Sequence, residues 1–365
     1  MSSRVLVAMS GGVDSSVALL KTLEAGYDAI GVTMKLWEYR DAGGHIVGES
    51  NCCPVEAIND ARDVCYSLGV PHYTLDFQEV FRTQVVDHFV DEYLGGRTPN
   101  PCVRCNSFVK WDALMAQADQ LGARFIATGH YARIEAGPDG APRLLKGLDA
   151  NKDQSYVLWA INRHTLARTL FPLGGMTKAR VRQVASEHDL ATAQAPDSQD
   201  ICFVADNDYR HFLRQQAPDR LADIGAGEIV NEAGEVLGTH PGYPYFTLGQ
   251  RRGLGLSSPE PQYVTALDAD NNRITVGSRA ALLSSRCTVE QVNWLVEPPA
   301  APCDIDGRVR YNGTGTPARL TPTGGATAQL EFAEPQLAIT PGQSAVFYAG
   351  EVVLGGGIIQ SGGIA

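Results

Sequence analysis

The sequence lacks several features that would assign it to a simple structural class. Its 365 residues contain only eight cysteines, too few for a secreted disulfide scaffold. No apolar run approaches the ~20 residues that a membrane-spanning helix needs. The short apolar start runs into a glycine-rich turn without a signal-peptide cleavage site. We therefore expect a cytoplasmic protein of two or three domains with no membrane partner, in which paired cysteines bind metal or take part in catalysis.

Positive charge is also scarce. The chain has 30 Lys and Arg against 41 Asp and Glu, which gives a formal net charge of −11 at pH 7. Such a chain repels a polyanion at long range, so composition alone argues against a nucleic-acid partner. A local basic surface can still bind phosphates, because screening limits the repulsion to roughly 8 Å.

Two kinds of pattern follow one another along the chain. Strands alternating with helices in the first two hundred residues predict a doubly wound parallel α/β sheet. The predicted strands are 5–9, 29–34, 72–75 and 125–128, and the predicted helices are 13–25, 54–68, 81–93, 108–121 and 177–188. Short strand candidates rich in Gly and Pro then precede an all-β region, with strands at 308–311, 328–332, 344–348 and 352–359. We expect domains at 1–209, 210–280 and 281–365, the last a β-barrel.

The motif SGGVDSS at residues 10–16 lies between the first strand and the first helix. Gly11 and Gly12 allow a tight turn and close approach of a ligand. The N–H groups of the following helical turn, with the helix dipole, form an anion site. No Gly-Lys-Ser/Thr is present, so this is not a Walker loop. We expect Asp14 and Ser15 at an exposed helix start, in a loop that resembles the pyrophosphate-binding loop of ATP pyrophosphatases.

The cysteines offer two candidate sites. Cys102 and Cys105 form a C-x-x-C motif in a segment between prolines, which suits a zinc half-site, a redox pair or a catalytic thiol. Arg104 between them could lower the pKa of a thiol. No second C-x-x-C is present, which disfavours structural zinc. Cys202, which precedes Phe203, would alone be interpreted as a small core residue. The other five cysteines are expected to be structural: Cys52, Cys53, Cys65, Cys287 and Cys303.

Taken together, these motifs resemble those of the tRNA-specific 2-thiouridylases, in the same order over nearly the whole chain. The matching segments are 10–16, 98–106, 127–131, 151–156, 197–203, 247–255 and 340–345. The resemblance implies an ATP-pyrophosphatase (adenine nucleotide α-hydrolase-like) fold, a small central tRNA-contacting domain and a C-terminal β-barrel. It implies an enzyme that adenylates the 2-carbonyl oxygen of the wobble uridine and then replaces that oxygen with sulfur.

The resemblance also implies residue roles. Cys105 would be the catalytic thiol and Cys202 the persulfide carrier, and the two would close a disulfide during turnover. The residues implied to hold ATP are Ala8, Met9, Ser10, Gly11, Gly12, Val13, Asp14, Ser15, Met34 and Gly129. The residues implied to contact tRNA are Asn100, Pro101, Cys102, His130, Lys152, Asp153, Gln154, Arg310, Tyr311 and Gln343. Mg²⁺ would shield the triphosphate, and a cysteine desulfurase or sulfur-relay protein would deliver the sulfur.

Three alternatives stay open. Some members of the family carry Asp at the position of Cys102, so here Cys102, Cys105 and Cys202 could instead hold an iron–sulfur cluster with one open iron. The chain could be another ATP-pyrophosphatase-type enzyme, such as an amidotransferase-linked synthetase, although no glutaminase segment is visible. It could also be a non-catalytic RNA-binding module that uses the β-barrel.

Overall fold

A computed structural model describes residues 2–37, 55–196, 201–204 and 207–363. The strands, numbered in chain order, are β1 (Arg4–Met9), β2 (Asp28–Lys35), β3 (His72–Asp76), β4 (Phe125–Ala127), β5 (Ala132–Ala136), β6 (Pro142–Lys146), β7 (Thr169–Leu170), β8 (Gly227–Asn231), β9 (Val236–His240), β10 (Tyr263–Asp268), β11 (Arg273–Gly277), β12 (Leu283–Trp294), β13 (Cys303–Arg308), β14 (Thr316–Gly324), β15 (Thr327–Leu337), β16 (Ser344–Ala349) and β17 (Val352–Gly363). The α-helices are α1 (Val13–Glu24), α2 (Val55–Ser67), α3 (Gln78–Phe81), α4 (Asp87–Leu94), α5 (Pro101–Arg104), α6 (Leu114–Gln120), α7 (Lys178–Glu187), α8 (Tyr209–Gln216) and α9 (Pro218–Ile224).

Five parallel strands form the N-terminal sheet, in the order β3-β2-β1-β4-β7. β1 and β2 are buried over almost their whole length, as expected for strands covered on both faces. The predicted doubly wound parallel sheet is confirmed. The strand order reverses between β1 and β4, whose carboxyl ends lie side by side. A ligand crevice opens at such a reversal, so the segments that follow these two strands meet there.

The helices around the C-x-x-C motif differ from the prediction. The predicted helix 81–93 consists of α3, a π-helical segment Arg82–Val86 and α4. The predicted helix 108–121 starts earlier, with α5, and continues through a wide π-helical segment, Cys105–Ala113, into α6. The C-x-x-C motif is therefore helical. Pro101 stands at the start of α5, where its missing N–H leaves no bond unmade.

The C-terminal barrel closes through β12, which pairs with both β15 and β17. Between them the order β15-β14-β13-β16-β17 completes the ring. The predicted strand 308–311 is wrong, since β13 ends at Arg308 and the next residues form a loop. The prediction also missed the hairpin β5–β6, which leaves the N-terminal domain and pairs with β17 through Leu145 and Val352.

The central domain contains a small sheet, β10-β11-β8-β9, preceded by α8 and α9. The sequence pattern had indicated short strands here and missed both helices. Side chains of these helices, such as Phe212 and Leu221, share one buried cluster with Leu6 of β1 and Val346 of the barrel. Because this core continues through all three parts, the segments at their junction hold fixed positions. In the described residues, no helix is long and apolar enough to cross a membrane.

Candidate active site

The loop after β1 is shaped to receive an anion. Gly12 caps α1 without a side-chain hydrogen bond, so no side chain competes for the N–H groups of the first turn. Gly11 has φ +75°, and a Cβ there would overlap the carbonyl of Ala57 and lie 2.8 Å from Ala57 Cα. Only glycine fits this position. The loop is therefore pressed between the end of β1 and α2.

The hydroxyl of Ser15 stabilises this loop through hydrogen bonds to its backbone. Its Oγ accepts a hydrogen bond from Ser10 N at 3.1 Å and donates one to Gly12 O at 3.0 Å. Ser15 is only 3% exposed, so the expectation of an exposed Ser15 is wrong. The reason is that its hydroxyl satisfies loop groups that would otherwise be buried without a partner.

Asp14 lies at the mouth of the loop in a charged network. Both carboxylate oxygens accept hydrogen bonds from Lys178 Nζ, at 2.7 and 2.8 Å. Tyr131 Oη donates to the same carboxylate at 2.7 Å. The Lys178 side chain is 12% exposed and that of Asp14 is 35% exposed. The sequence analysis missed Lys178, because nothing local to α7 indicates that its first turn folds against residue 14.

Gly129, which follows β4, contacts the same loop. A Cβ on Gly129 would lie 2.8 Å from Asp14 C and 2.9 Å from Ser15 N. Four further residues implied to hold ATP are buried in the core around β1, β2 and α1. They are the buried Ala8, Met9, Val13 and, near the end of β2, Met34.

The two cysteines of the C-x-x-C motif have different surroundings. Asn100 Oδ1 caps α5 by accepting a hydrogen bond from Cys102 N at 3.1 Å. Cys102 is exposed, whereas Cys105 is 9% exposed and belongs to the main core cluster. Cys105 therefore points into the core at the junction of α5 and the π-helical segment.

Cys102 lies near Cys202. Although Cys102 reaches solvent, surrounding protein raises the pKa of its thiol to about 11, and the nearby Cys202 adds to the rise while Lys110 opposes it. Cys202 is also exposed. Cys102 in turn contributes to a raised pKa of Tyr311, after the larger effect of burial. Two exposed cysteines, a lysine and a phenol therefore lie near one another: Cys102, Cys202, Lys110 and Tyr311, a group that we call the cysteine recess.

None of the described cysteines is in a disulfide. The implied Cys105–Cys202 disulfide is therefore absent in this state. Cys65 and Cys287 are buried, and Cys303 is partly buried, away from the recess. Cys52 and Cys53, like residues 197–200 of the motif before Cys202, lie outside the described residues.

A buried ion pair holds Asp153, one of the residues implied to contact tRNA, in place. Arg308 Nη1 lies 3.2 Å from Asp153 Oδ2, with side chains 13% and 6% exposed. Asp153 also accepts hydrogen bonds from Gly147 N at 3.0 Å and Ser155 N at 3.1 Å. Arg308 further donates to Tyr311 O and lies 5.2 Å from the Tyr156 ring centroid. Arg308 was missed because the predicted strand began at it and gave it no special role.

Lys152 and Gln154 flank Asp153. Lys152 is partly exposed. Gln154 Oε1 accepts a hydrogen bond from Tyr131 N at 2.9 Å, and Gln154 N donates to Tyr131 O at 2.9 Å. Tyr131 thus connects this segment with Asp14 in the anion loop.

The barrel supplies three more candidates. Arg310 donates to the carbonyls of Leu337 and, at 3.1 Å, Ala338. Tyr311 is 39% exposed beside the cysteine recess. Gln343 Nε2 donates to Thr98 O at 2.7 Å, so it ties the barrel to the segment before α5. Its amide is committed to this internal contact.

His130 lies between the anion loop and the cysteine recess. Its Nδ1 is 2.8 Å from Thr128 Oγ1, and its ring lies 5.7 Å from that of Trp111. Burial lowers the pKa of His130 well below its ordinary value, and Lys110 adds to the shift. The imidazole is therefore neutral near pH 7. Trp111 lies in the helical segment that begins at Cys105, so the His130 ring connects the strand end beside the anion loop with the segment that carries this cysteine. We call the anion loop and the cysteine recess the two half-sites.

The described residues do not form a preassembled metal centre. No group of three His, Cys, Asp or Glu side chains among them is arranged to hold a metal ion. The described residues likewise offer no preformed set of protein ligands for Mg²⁺.

Three family models match the chain. They are described as the tRNA methyl transferase HUP domain, at residues 3–206, the tRNA methyl transferase PRC-barrel domain, at 210–278, and the aminomethyltransferase beta-barrel domain, at 284–359. Together they account for most of the sequence.

Curated relatives match over nearly the full length. The tRNA-specific 2-thiouridylase of Heliobacterium modesticaldum is 47% identical over 98% of this chain and 93% of its own length. That of Acidithiobacillus ferrooxidans is 48% identical over 98% of both chains. That of Salinibacter ruber is 46% identical over 99% of this chain and 95% of its own length. All three are named as thiouridylases, although two of the matched models have methyl transferase in their descriptions. With such identity across all three parts, the chain belongs to the family of the tRNA-specific 2-thiouridylases.

Proposed function

We propose that this enzyme uses ATP to place sulfur at position 2 of the wobble uridine of tRNA. The observation that carries the proposal is the junction of the two half-sites. Gly129 touches Asp14 and Ser15 of the anion loop, and the ring of the adjacent His130 lies 5.7 Å from that of Trp111, in the helical segment that begins at Cys105. A nucleotide in the anion loop and a sulfur in the recess would therefore act on one bound uridine.

The anion loop would hold the phosphates of ATP. The N–H groups at the start of α1 suit a pyrophosphate, and the helix dipole favours negative charge there. Lys178 would shift from Asp14 to the phosphates, which carry the larger negative charge. Mg²⁺ would bind through the phosphate oxygens and offset the charge that develops on pyrophosphate. Attack of the uridine O2 on the α-phosphorus would release pyrophosphate and leave O2 bonded to AMP.

The sulfur step balances with two protein thiols. A persulfide on Cys202 would attack C2 with its terminal sulfur, and AMP would leave with O2. Cys105 would then attack Cys202 Sγ, which breaks the bond to the transferred sulfur and forms a Cys105–Cys202 disulfide. The sulfane sulfur gains the two electrons that the two thiols lose. A dithiol reductant would reopen the disulfide, and a sulfur-donor protein would reload Cys202.

Cys105 must become more accessible for this step, since it is 9% exposed in the free enzyme. Cys102 is accessible, but its pKa of about 11 keeps its thiol protonated at neutral pH. A protonated thiol is a poor nucleophile, which supports a role for Cys102 beside the base, together with Asn100 and Pro101. The assignment of nucleophilic attack to Cys105 follows the family resemblance.

The tRNA contacts would divide into two groups. Lys152, Arg310 and Tyr311 are at least partly exposed around the recess and suit phosphate contact and base stacking. Asp153, Gln154, Gln343 and His130 are engaged in internal bonds or buried. We propose that these four position the contact segments that the first group uses.

The test is pyrophosphate release by purified enzyme with ATP, with and without a tRNA transcript that carries the wobble uridine. Release should require the transcript, and a matched transcript with cytidine at that position should give none. Release without any tRNA would indicate a synthetase of another kind. Absence of release under all conditions would leave only an RNA-binding module.

The cysteine roles are tested by substitution to serine, which cannot carry or attack a persulfide. Cys105→Ser and Cys202→Ser should each abolish thiolation while ATP and tRNA still bind. Cys102→Ser should keep partial activity. The cluster alternative is tested by the iron content of the anaerobically purified wild type. Iron that is present there and is lost together with activity in Cys102→Ser would contradict the persulfide route.

A further inference from the structure

Both partners of Asp14 at the anion loop are held by one short turn. Asp14 accepts hydrogen bonds from Lys178 Nζ and from Tyr131 Oη. The turn, residues 149–154, comes shortly after β6 and includes three of the residues that the resemblance implies to contact tRNA. Its contacts therefore lead from the RNA side of the enzyme to the nucleotide side.

Asp149 connects the turn with Lys178. Its Oδ2 accepts a hydrogen bond from Lys178 N at 2.9 Å, and its Oδ1 accepts one from Asn151 N at 3.1 Å. Lys152 N donates to Asp149 O at 2.9 Å, which closes the turn. Lys178 is the first residue of α7, so its N–H has no acceptor within the helix. A carboxylate is a favourable acceptor at this place, because the helix dipole stabilises negative charge there.

Gln154 connects the other end of the turn with Tyr131. The two residues exchange a pair of hydrogen bonds, from Tyr131 N to Gln154 Oε1 and from Gln154 N to Tyr131 O, both at 2.9 Å. β5 begins directly after Tyr131 and pairs with β6, so the hairpin brings Tyr131 and the turn together. Asp14, Lys178, the turn and Tyr131 thus form a closed ring in which each member is hydrogen-bonded to the next.

We propose that Asp149 is a positioning residue for Lys178, through which RNA bound at the turn 149–154 places this lysine for the nucleotide step. The proposal rests on the proposed function, in which Lys178 leaves Asp14 for the phosphates of ATP. When the ammonium moves, the backbone of Lys178 stays tied to Asp149, so the turn decides where the side chain can reach. A cation beside the leaving pyrophosphate lowers the barrier most when it is preorganised. Occupation of the turn by RNA would supply that preorganisation.

The first experiment measures the rate of pyrophosphate release by the full chain at saturating ATP and transcript, so that weaker binding of either substrate does not affect the result. Asp149→Ala should lower this rate about ten- to hundredfold, as expected when a catalytic group is displaced. Lys178→Gln should lower it at least as much. Because Asp149 acts through Lys178, the double variant should be no slower than Lys178→Gln alone.

Asp139→Ala is the matched control. Asp139 Oδ1 accepts a hydrogen bond from Ala141 N at 3.3 Å and closes a similar turn at the opposite end of the β5–β6 hairpin. This variant should release pyrophosphate at the wild-type rate. Asp149→Asn keeps one acceptor oxygen and should lose less rate than Asp149→Ala. If the alanine variant does not fold, Asp149→Asn takes its place in the comparison with Lys178→Gln.

The second experiment measures the link to RNA without any chemistry. A transcript with cytidine at the wobble position should raise the ATP affinity of the wild type about fivefold or more, and that of Asp149→Ala much less. An ATP affinity of the wild type that is the same with and without this transcript would overturn the link between the turn and the lysine.

The outcomes separate the two proposals. If the wild type releases no pyrophosphate with the uridine transcript, the proposed function fails. If the wild type does release it and Asp149→Ala is equally fast, only the role of Asp149 is overturned. Losses in the two single variants that multiply in the double variant would also overturn that role, since the two residues would then act independently.

Discussion

Three glycine substitutions separate the energetic cost of a left-handed backbone from the cost of close packing. Gly11 and Gly129 lie at the anion loop, and Gly26 lies after α1. Gly26 has φ +82° and nothing within 4 Å of a Cβ. Gly26→Ala should therefore cost only the left-handed backbone penalty, about 1–2 kcal/mol. Gly129 has no positive φ, but its Cβ would lie 2.8 Å from Asp14 C. Gly129→Ala should cost about 1–3 kcal/mol through overpacking alone.

Gly11 combines both effects, with φ +75° and an overlap with Ala57. Gly11→Ala should therefore destabilise by about 2–5 kcal/mol, the sum of the two ranges. Because Gly11 and Gly129 both press on the loop, their alanine variants should also displace the N–H groups at the start of α1. A loss of 1.4 kcal/mol in binding corresponds to about tenfold in ATP affinity, and we expect at least that.

The assay is ATP titration by calorimetry, together with chemical denaturation of each variant. Gly26→Ala should bind ATP like the wild type and provides the control for backbone strain. Wild-type ATP affinity in both Gly11→Ala and Gly129→Ala would refute the assignment of this loop to the nucleotide.

Three further predictions concern the recess and its supports. Alkylation of Cys102, measured by peptide mass, should still accelerate as pH rises towards its pKa of about 11, and a plateau below pH 9 would contradict a raised pKa for this thiol. The folded pKa of His130 is lowered, so its contribution to stability is present above the unfolded value of about 6.5 and is lost as pH falls further. The denaturation midpoint of the wild type should fall between pH 7 and 5, and that of His130→Gln should fall less. The same pH profile in both proteins would contradict a lowered pKa for His130. Arg308→Met should destabilise by about 3 kcal/mol by leaving Asp153 buried and unpaired, and adding Asp153→Asn should recover part of this in a double-mutant cycle.

Much of the N-terminal fold was predictable because its signals are local. β1 and β2 are continuous apolar runs, and α1 ends close to a glycine, so each element could be assigned from a short window. The barrel was harder to predict. The hairpin β5–β6 pairs with β17, more than two hundred residues away, and no local pattern records such a partner.

The site was predictable only where a motif is contiguous. The segment 10–16 identified the anion loop, but Lys178 comes from α7 and meets Asp14 only through the fold. Arg308 was likewise hidden, because its partner Asp153 lies in another domain. The burial of Cys105 depends on residues that pack on it from distant parts of the chain, for which the C-x-x-C spacing gives no signal.

The central claim is tested most directly by mass analysis of tRNA nucleosides after reaction with the purified enzyme, ATP and a sulfur-donor protein. The account predicts 2-thiouridine at the wobble position, one AMP formed per sulfur inserted, and no product with Cys105→Ser or Cys202→Ser. Thiolation that proceeds without ATP, or a modified uridine that contains no sulfur, would contradict it.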